Sequence, residues 1–500
     1  MGKISLLSTN ITRIQPLHKF PMRFLIPLIL SAALSIAATQ SDFYLREEIP
    51  LPAGEVMEIG SIALMPEQKI AVTTRRGDLW ICSGAYGKDL SKVTWKKFAS
   101  GLHEPFGMAW QAGWLYLTQR PEVSRIKDAD GDGTADTFET ICADWGISGD
   151  YHEYAFGTAP DKNGDIWVVL CLTGSFNADA DWRGWCVRIT PEGEMIPTSS
   201  GIRSPGGIGF NHLGDCFYTD NQGMWNGSSS LKWLKPGSFQ GNPTGNKFHK
   251  LANLPAPPEV TDKSRVLAEH LKFPEYVPPA AVLPHAKLGQ SPSGIACDMS
   301  NGKFGPWANQ LYIGEQTHSQ VQRVSLEQVN GYYQGAAFQF LEGFECGLIP
   351  VQMDQEEGVL FVGGSNRGWA SRGSKPFSFE RVTWTGKTPF EIQTMTANPD
   401  GFTLNFTEPV DPITAANPAS YSMVAWTYIL QSGYGSPEVD QATPKINTAT
   451  VSDDKKSVRL KIEGLVRGHV HHLDSKGVKS AAGNALWHAD AYYTLNEIPN

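Results

Sequence analysis

The run DADGDGTADTFE, from Asp128 to Glu139, holds five carboxylates within twelve residues. Its spacing fits D-x-D-x-D-G-x5-E, the pattern of a calcium-binding loop. Asp128, Asp130 and Asp132 would offer side-chain oxygens, Thr134 its carbonyl, Asp136 a direct or water-mediated contact and Glu139 a bidentate carboxylate, while Gly133 permits the sharp turn. Carboxylates so crowded repel one another unless a hard cation neutralises them, so calcium is the expected ligand. No helical pattern flanks the run, which suggests a structural brace within a β scaffold.

A second constellation starts at DYHEYAFG. His152 has an ordinary pKa near 6.5, so its neutral imidazole is available at neutral pH to take a proton from a hydroxyl group. A lone histidine is more often a hydrogen-bonding residue of the scaffold, and His152 gains weight only from two later runs. GIRSPGGIGF brings Arg203 and Ser204, and FYTDNQGMWNG brings Asn221 and Gln222, groups suited to anionic or hydroxylated ligands.

The elements that must carry these residues repeat. Short apolar-aromatic strands begin at Ile70, Leu115, Ile166, Cys216, Leu311 and Leu360, each after a turn rich in Gly, Asp or Asn. Their spacing is 45 to 51 residues, with one gap of 95. That period is the length of a four-stranded propeller blade, so the reading is an all-β chain with a six-bladed β-propeller over 42–388. The long gap contains LANLPAPPEV and KFPEYVPPAAVLPH, whose prolines cannot pair inside a central strand, so it reads as a surface excursion. After Trp384 the pattern changes to period-two alternation, which predicts an immunoglobulin-like β-sandwich over 389–500 as an accessory domain.

Composition narrows the setting. Fifty glycines and 33 prolines favour many turns over long helices, and 51 acidic against 42 basic residues, with no basic run, argue against a nucleic-acid partner. Lys19 and Arg23 precede an apolar run from Phe24 to Ala37, so residues 1–38 read as a signal peptide and the protein as exported, periplasmic or secreted. No other stretch is long and apolar enough to span a bilayer, so no transmembrane span is expected in the mature chain. The seven cysteines form no C-x-x-C pair, which excludes c-type haem attachment here; they read as buried small hydrophobes or as one or two disulfides.

The order His152, then Gly201-Ile202-Arg203-Ser204-Pro205-Gly206-Gly207, then Pro236-Gly237-Ser238-Phe239-Gln240-Gly241-Asn242-Pro243 resembles the soluble quinone-dependent glucose and sorbosone dehydrogenases. GLHEPFGMA, SPSGIA, GGSNRGWASRG and the final YYTLNEIP resemble a related group of exported bacterial propellers described as membrane-bound dehydrogenases, without the cytochrome c module. The resemblance implies His152 as catalytic base and Arg203 as stabiliser of developing negative charge. It further implies a quinone cofactor near Arg203, Ser204, Asn221, Gln222 and Arg367, a sugar or other alcohol as substrate, and a separate electron acceptor. Two departures count against pyrroloquinoline quinone. Thr317 stands where those enzymes carry a cofactor-binding Lys, and no Arg lies between Cys346 and Asp354. A buried tricarboxylate without such cations faces a large desolvation cost. The alternative is a non-enzymatic, calcium-stabilised propeller that binds carbohydrate or protein, with Trp182, Trp185, Trp225 and Trp369 as stacking faces.

Overall fold

The computed structural model describes residues 39–366, 368 and 370–500. The expected signal peptide, Arg367 and Trp369 lie outside the described residues. Among the described residues no helix is long and apolar enough to cross a membrane.

Along the described residues antiparallel units of four strands follow one another in a propeller-like, predominantly β fold, the fifth unit continuing into a larger sheet. The first runs from Ile59–Met65 to Thr94–Ala99, the second from Gly107–Gln111 to Thr137–Cys142, and the third from Ala155–Gly157 to Met195–Ser200. The fourth starts at Pro205–Phe210 and ends at Ala281–Val282, and the fifth runs from Pro292–Cys297 to Tyr332–Glu342. In the sixth, Leu348–Asp354, Val359–Ser365 and Phe377–Trp384 take their outer strand from the opposite end of the chain: Tyr44–Glu48 pairs with Phe377–Trp384. This pairing sets the N-terminal strand on the last unit and so fastens the two ends of the propeller together.

Every repeating strand recognised in the sequence is the second strand of its unit, for example Lys69–Thr74, Trp114–Thr118 and Val359–Ser365. Both faces of such a strand are covered by neighbouring sheets, which is why its residues are almost continuously apolar. The innermost strands pack edge to edge. A Cβ at Gly107 would lie 2.7 Å from the Gly157 carbonyl, and one at Gly207 would lie 2.6 Å from Gly294 Cα. Only glycine permits so close a backbone approach. The proline-rich excursion leaves the fourth unit before its last strand; it carries a 3-10 helix, Pro243–Ala252, and an α-helix, Val266–Lys272.

The residues after 388 pack on an apolar core drawn mostly from themselves, and they also continue a sheet of the propeller. Ile392–Asn398, Gly401–Phe406, Ser457–Glu463 and Lys445–Val451 form one sheet. Ser422–Leu430, His469–Asp474 and Asp490–Leu495 join the fifth unit instead, because Asp490–Leu495 pairs with Tyr332–Glu342. Ala336 and Phe338 of the propeller are buried in one apolar cluster with Phe402, Leu404 and Tyr493. Trp426 and Tyr492 share another cluster with Phe217 and Leu231. The C-terminal segment is therefore built onto the propeller through a continuous sheet and two shared cores. All seven cysteines are buried and unpaired.

Candidate functional site

In an antiparallel unit the first strand begins, and the second ends, on the same side. Residues just before an inner strand and just after its neighbour therefore gather at one end of the propeller. His152 precedes Ala155–Gly157, Arg203 and Ser204 precede Pro205–Phe210, and Asn221 and Gln222 follow Cys216–Asp220. All five line a single cavity of about 300 Å³, together with Arg75, Tyr151, Phe176, His285, Ser291 and Thr317. Phe106, Phe156, Gly206 and Ile349 form its floor and also line the channel between the innermost strands.

The loop bearing His152 is held from behind. The Arg120 guanidinium donates to the Asp150 and Tyr151 carbonyls and pairs with Glu104. Asp150 accepts from the His152 backbone N–H at 2.8 Å and from Gly174 N–H at 2.9 Å. Glu153, fully buried, accepts from the Thr173 hydroxyl at 2.7 Å and the Ser148 hydroxyl at 2.8 Å. Its role is to tie this loop to the next. The His152 imidazole packs against Tyr151, with ring centroids 4.0 Å apart, and no hydrogen bond among the described residues engages it. Burial lowers its pKa below the ordinary value; Asp150 opposes this, and Arg203, Arg75 and Arg120 reinforce it. A neutral base at neutral pH follows from both causes.

Arg203 is nearly buried, 4% exposed, and its Nη1 donates to the Gln222 carbonyl at 2.7 Å. Its Nε has no partner among the described residues. A Cβ at Gly223 would lie 2.1 Å from Arg203 Cζ, so glycine is required where the guanidinium crosses the loop. Ser204 N–H donates to Asp220 at 2.8 Å, and Asp220 forms a fully buried ion pair with Lys232 at 3.0 Å. This pair anchors the Arg203–Ser204 segment. Asn221 Oδ1 and His285 Nδ1 are also buried without partners. Burial lowers the His285 pKa, against the pull of Glu315.

Several lining residues are not marked in the sequence, His285 and Tyr434 among them. His285 ends the proline-rich excursion, and nothing in its local pattern marks it. Tyr434 comes from the loop between Ser422–Leu430 and Glu438–Ala442, far along the chain from the propeller, and it is 61% exposed at the cavity mouth. Three of the four tryptophans expected as stacking faces are elsewhere: Trp182 and Trp185 are buried in the core of the third unit, and Trp225 packs against Phe239 and Tyr276. Their bulk serves packing.

The acidic run joins Val123–Lys127 to Thr137–Cys142, the two outer strands of the second unit, and none of its residues lines the cavity. Asp128, Asp130 and Asp136 bring carboxylate oxygens within 4.8 Å of one another. Asp132 accepts instead from Thr134 N–H at 2.7 Å, and Lys96 donates to the Asp132 carbonyl. Glu139 is drawn away because the hairpin register sets it opposite Arg125, with which it pairs at 2.6 Å. The loop thus fits a cation held by three carboxylates, without the bidentate glutamate that the spacing suggested, and at a place where such an ion would brace a hairpin.

The cavity fits pyrroloquinoline quinone poorly. Arg75 donates to Glu104 at 3.1 Å and to the Tyr154 hydroxyl at 2.7 Å, and since Glu104 also pairs with Arg120, the charge of Arg75 is compensated in part. Among the described lining residues Arg203 and a partly compensated Arg75 are the cations that would face three carboxylates, and Thr317 supplies only a hydroxyl. The unpartnered Asn221 oxygen is an acceptor, which repels a carboxylate.

A family profile described as "Domain of unknown function (DUF7133)" matches residues 91–340, half of the chain. The chain belongs to this family. The matched span runs from the first to the fifth unit and includes every cavity residue discussed above except Arg75, Ile349 and Tyr434. No curated protein matches the sequence. Among solved structures, the chain is similar to a carbohydrate-active enzyme of family AA12 from Trichoderma reesei, at 12% identity and a TM-score of 0.50, over 70% of this chain and 97% of that one. It is also similar to a PQQ-bound aldose sugar dehydrogenase from Streptomyces coelicolor, at 16% identity and a TM-score of 0.47, over 68% and 98%. A third is the PQQ domain of a pyranose dehydrogenase from Coprinopsis cinerea, at 12% identity and 0.46, over 68% and 95%. At 12% identity the likeness to the family AA12 enzyme speaks to the fold alone.

Proposed function

We propose that this DUF7133 chain is an exported six-bladed propeller that oxidises a sugar or other alcohol at the cavity holding His152 and Arg203. The observation that carries the reading is the convergence of His152, Arg203, Ser204, Asn221 and Gln222, distant in sequence, on one cavity. His152, neutral and unencumbered at its imidazole, takes the hydroxyl proton of the substrate. Arg203 stabilises the alkoxide that forms, and Ser204, Asn221 and Gln222 orient the remaining hydroxyl groups. The hydride that leaves carbon needs an oxidant, for which the reading requires a separate acceptor of the quinone class. Calcium belongs to the hairpin loop as a brace and takes no part in the chemistry. Export rests on the apolar run from Phe24 to Ala37 alone.

The test is turnover of aldoses and simple alcohols with an artificial acceptor, with and without added pyrroloquinoline quinone and calcium. His152→Gln should lose at least about a hundredfold in rate while keeping its melting temperature. Equal rates for wild type and His152→Gln would refute the base assignment. A second reading, a propeller that binds carbohydrate without oxidising it, is favoured by the shortage of cations facing a quinone's carboxylates. It is the reading that stands if the wild type binds sugars and turns over none.

A further inference from the structure

Outside the polar groups already discussed, the most unusual feature of the surface is where its aromatic rings lie. The exposed aromatic side chains of the described residues are Phe138, Tyr151, Phe176 and Tyr434. Three of these four line the cavity, and each comes from a different segment. Leaving large rings in water is unfavourable, and their collection at one mouth marks a surface made to be covered.

Tyr434 is held there by backbone as well as by side chain. Trp225 N–H donates to the Gln431 carbonyl at 2.7 Å, Gly435 N–H to Gly223 at 3.0 Å, and Ser436 N–H to Gly227 at 3.0 Å. A Cβ at Gly227 would meet Tyr428 Cβ at 2.7 Å, so the 222–227 loop is shaped to receive this part of the C-terminal segment. The Tyr434 ring then lies 5.1 Å from the Arg203 guanidinium, and Phe176 flanks the same group at 5.8 Å. The two rings are 6.4 Å apart and inclined at 40°, which makes a shallow shelf. Arg203, Ser204, Asn221 and Gln222 stand beside it, so a ligand resting on the shelf meets apolar faces on one side and hydrogen-bonding groups on the other.

We propose that Phe176 and Tyr434 receive the C–H face of a pyranose ring, so that the ligand class is a cyclic sugar and the C-terminal segment is part of the binding site. The inference rests on the sugar-or-alcohol reading of this cavity and narrows it. A pyranose presents a flat patch of C–H bonds on one face and hydroxyl groups around its rim, the complement of this shelf and its polar neighbours. An acyclic alcohol offers no such face.

Methyl pyranosides, fixed in the ring form and measured without any electron acceptor, report binding apart from turnover, because a hydride then has nowhere to go. Binding of methyl glucopyranoside, galactopyranoside and mannopyranoside, and of the open-chain hexitol glucitol, is measured by calorimetry and saturation-transfer NMR. At least one pyranoside should bind well ahead of glucitol. Tyr434→Ala should weaken that pyranoside at least about tenfold, and Tyr434→Phe should restore most of it, since the face and not the hydroxyl makes the contact. Phe176→Ala should act in the same direction. Both rings are exposed, so these variants should keep the wild-type melting temperature. Pyranosides that bind no better than glucitol, or a Tyr434→Ala protein that binds them like wild type, overturn the proposal. The outcomes are separable from those of the oxidation reading: pyranoses bound and oxidised equally by wild type and Tyr434→Ala sink the shelf and leave the chemistry, whereas pyranoside binding lost in Tyr434→Ala without any turnover does the reverse.

Discussion

Protonation of His471 should release the C-terminal strands from the propeller in mild acid. This side chain is fully buried within His469–Asp474, facing Phe402 at a ring separation of 5.7 Å. Its Nε2 accepts from Val466 N–H at 3.3 Å, which requires the neutral ring, and its Nδ1 has no partner. Burial, with a smaller contribution from His469, lowers its pKa to about 3. In the unfolded chain the same group titrates near 6.5. The unfolded state therefore binds more protons throughout the interval between these values, so stability rises with pH across it. The full contribution is present above pH 6.5 and is lost as pH falls toward 3. At about 1.4 kcal/mol per pH step, lowering the pH from 6.5 to 5 removes about 2 kcal/mol, and going on to pH 3 removes about 5. Against a typical total of about 5–15 kcal/mol, that is enough to matter. The measurement is urea unfolding of wild type and His471→Gln at a series of pH values. Glutamine keeps an acceptor for Val466 but does not titrate. Other acid-sensitive groups, such as Asp490 beside His472, cancel in the comparison. The stability difference between the two proteins should shift by about 2 kcal/mol in favour of the variant between pH 6.5 and 5. Parallel pH profiles would refute the reasoning.

Calcium should raise the melting temperature, by mass action worth about 2.7 kcal/mol at a hundredfold excess over its dissociation constant. Asp130→Asn should abolish that increment, whereas Glu139→Ala should leave it intact because Glu139 pairs with Arg125; equal effects of the two substitutions on a calcium titration would count against the three-carboxylate site. Lys232→Met leaves the Asp220 carboxylate buried without its cation, and should cost about 3–5 kcal/mol in denaturant unfolding, with a chain as stable as wild type as the contrary result. A chain ending at Thr388 loses the strand that pairs with Tyr332–Glu342, and it should aggregate or lose cooperative unfolding; a soluble, cooperatively folding truncation would show that the shared cores are dispensable.

The sequence by itself determined the repeating units and much of the cavity. Strands covered on both faces must be apolar along their whole length, so Ile70, Leu115, Ile166, Cys216, Leu311 and Leu360 announce their strands without an alternating pattern. Once those are recognised as equivalent strands, His152, Arg203, Asn221 and Gln222 fall in loops on one side of the propeller, and their convergence follows from antiparallel pairing. What it could not determine depends on register and on contacts between distant segments. Glu139 keeps the spacing of a calcium ligand but sits opposite Arg125 in a hairpin, because strand pairing, and not the motif, fixes which way a side chain turns. The period-two alternation after Trp384 revealed strands without saying which edge they would extend, and a free edge on the fifth unit took Asp490–Leu495. Tyr434 reaches the cavity only through that docking. No local pattern encodes it, since its position is set by which backbone groups of the 222–227 loop remain unpaired until the C-terminal loop meets them.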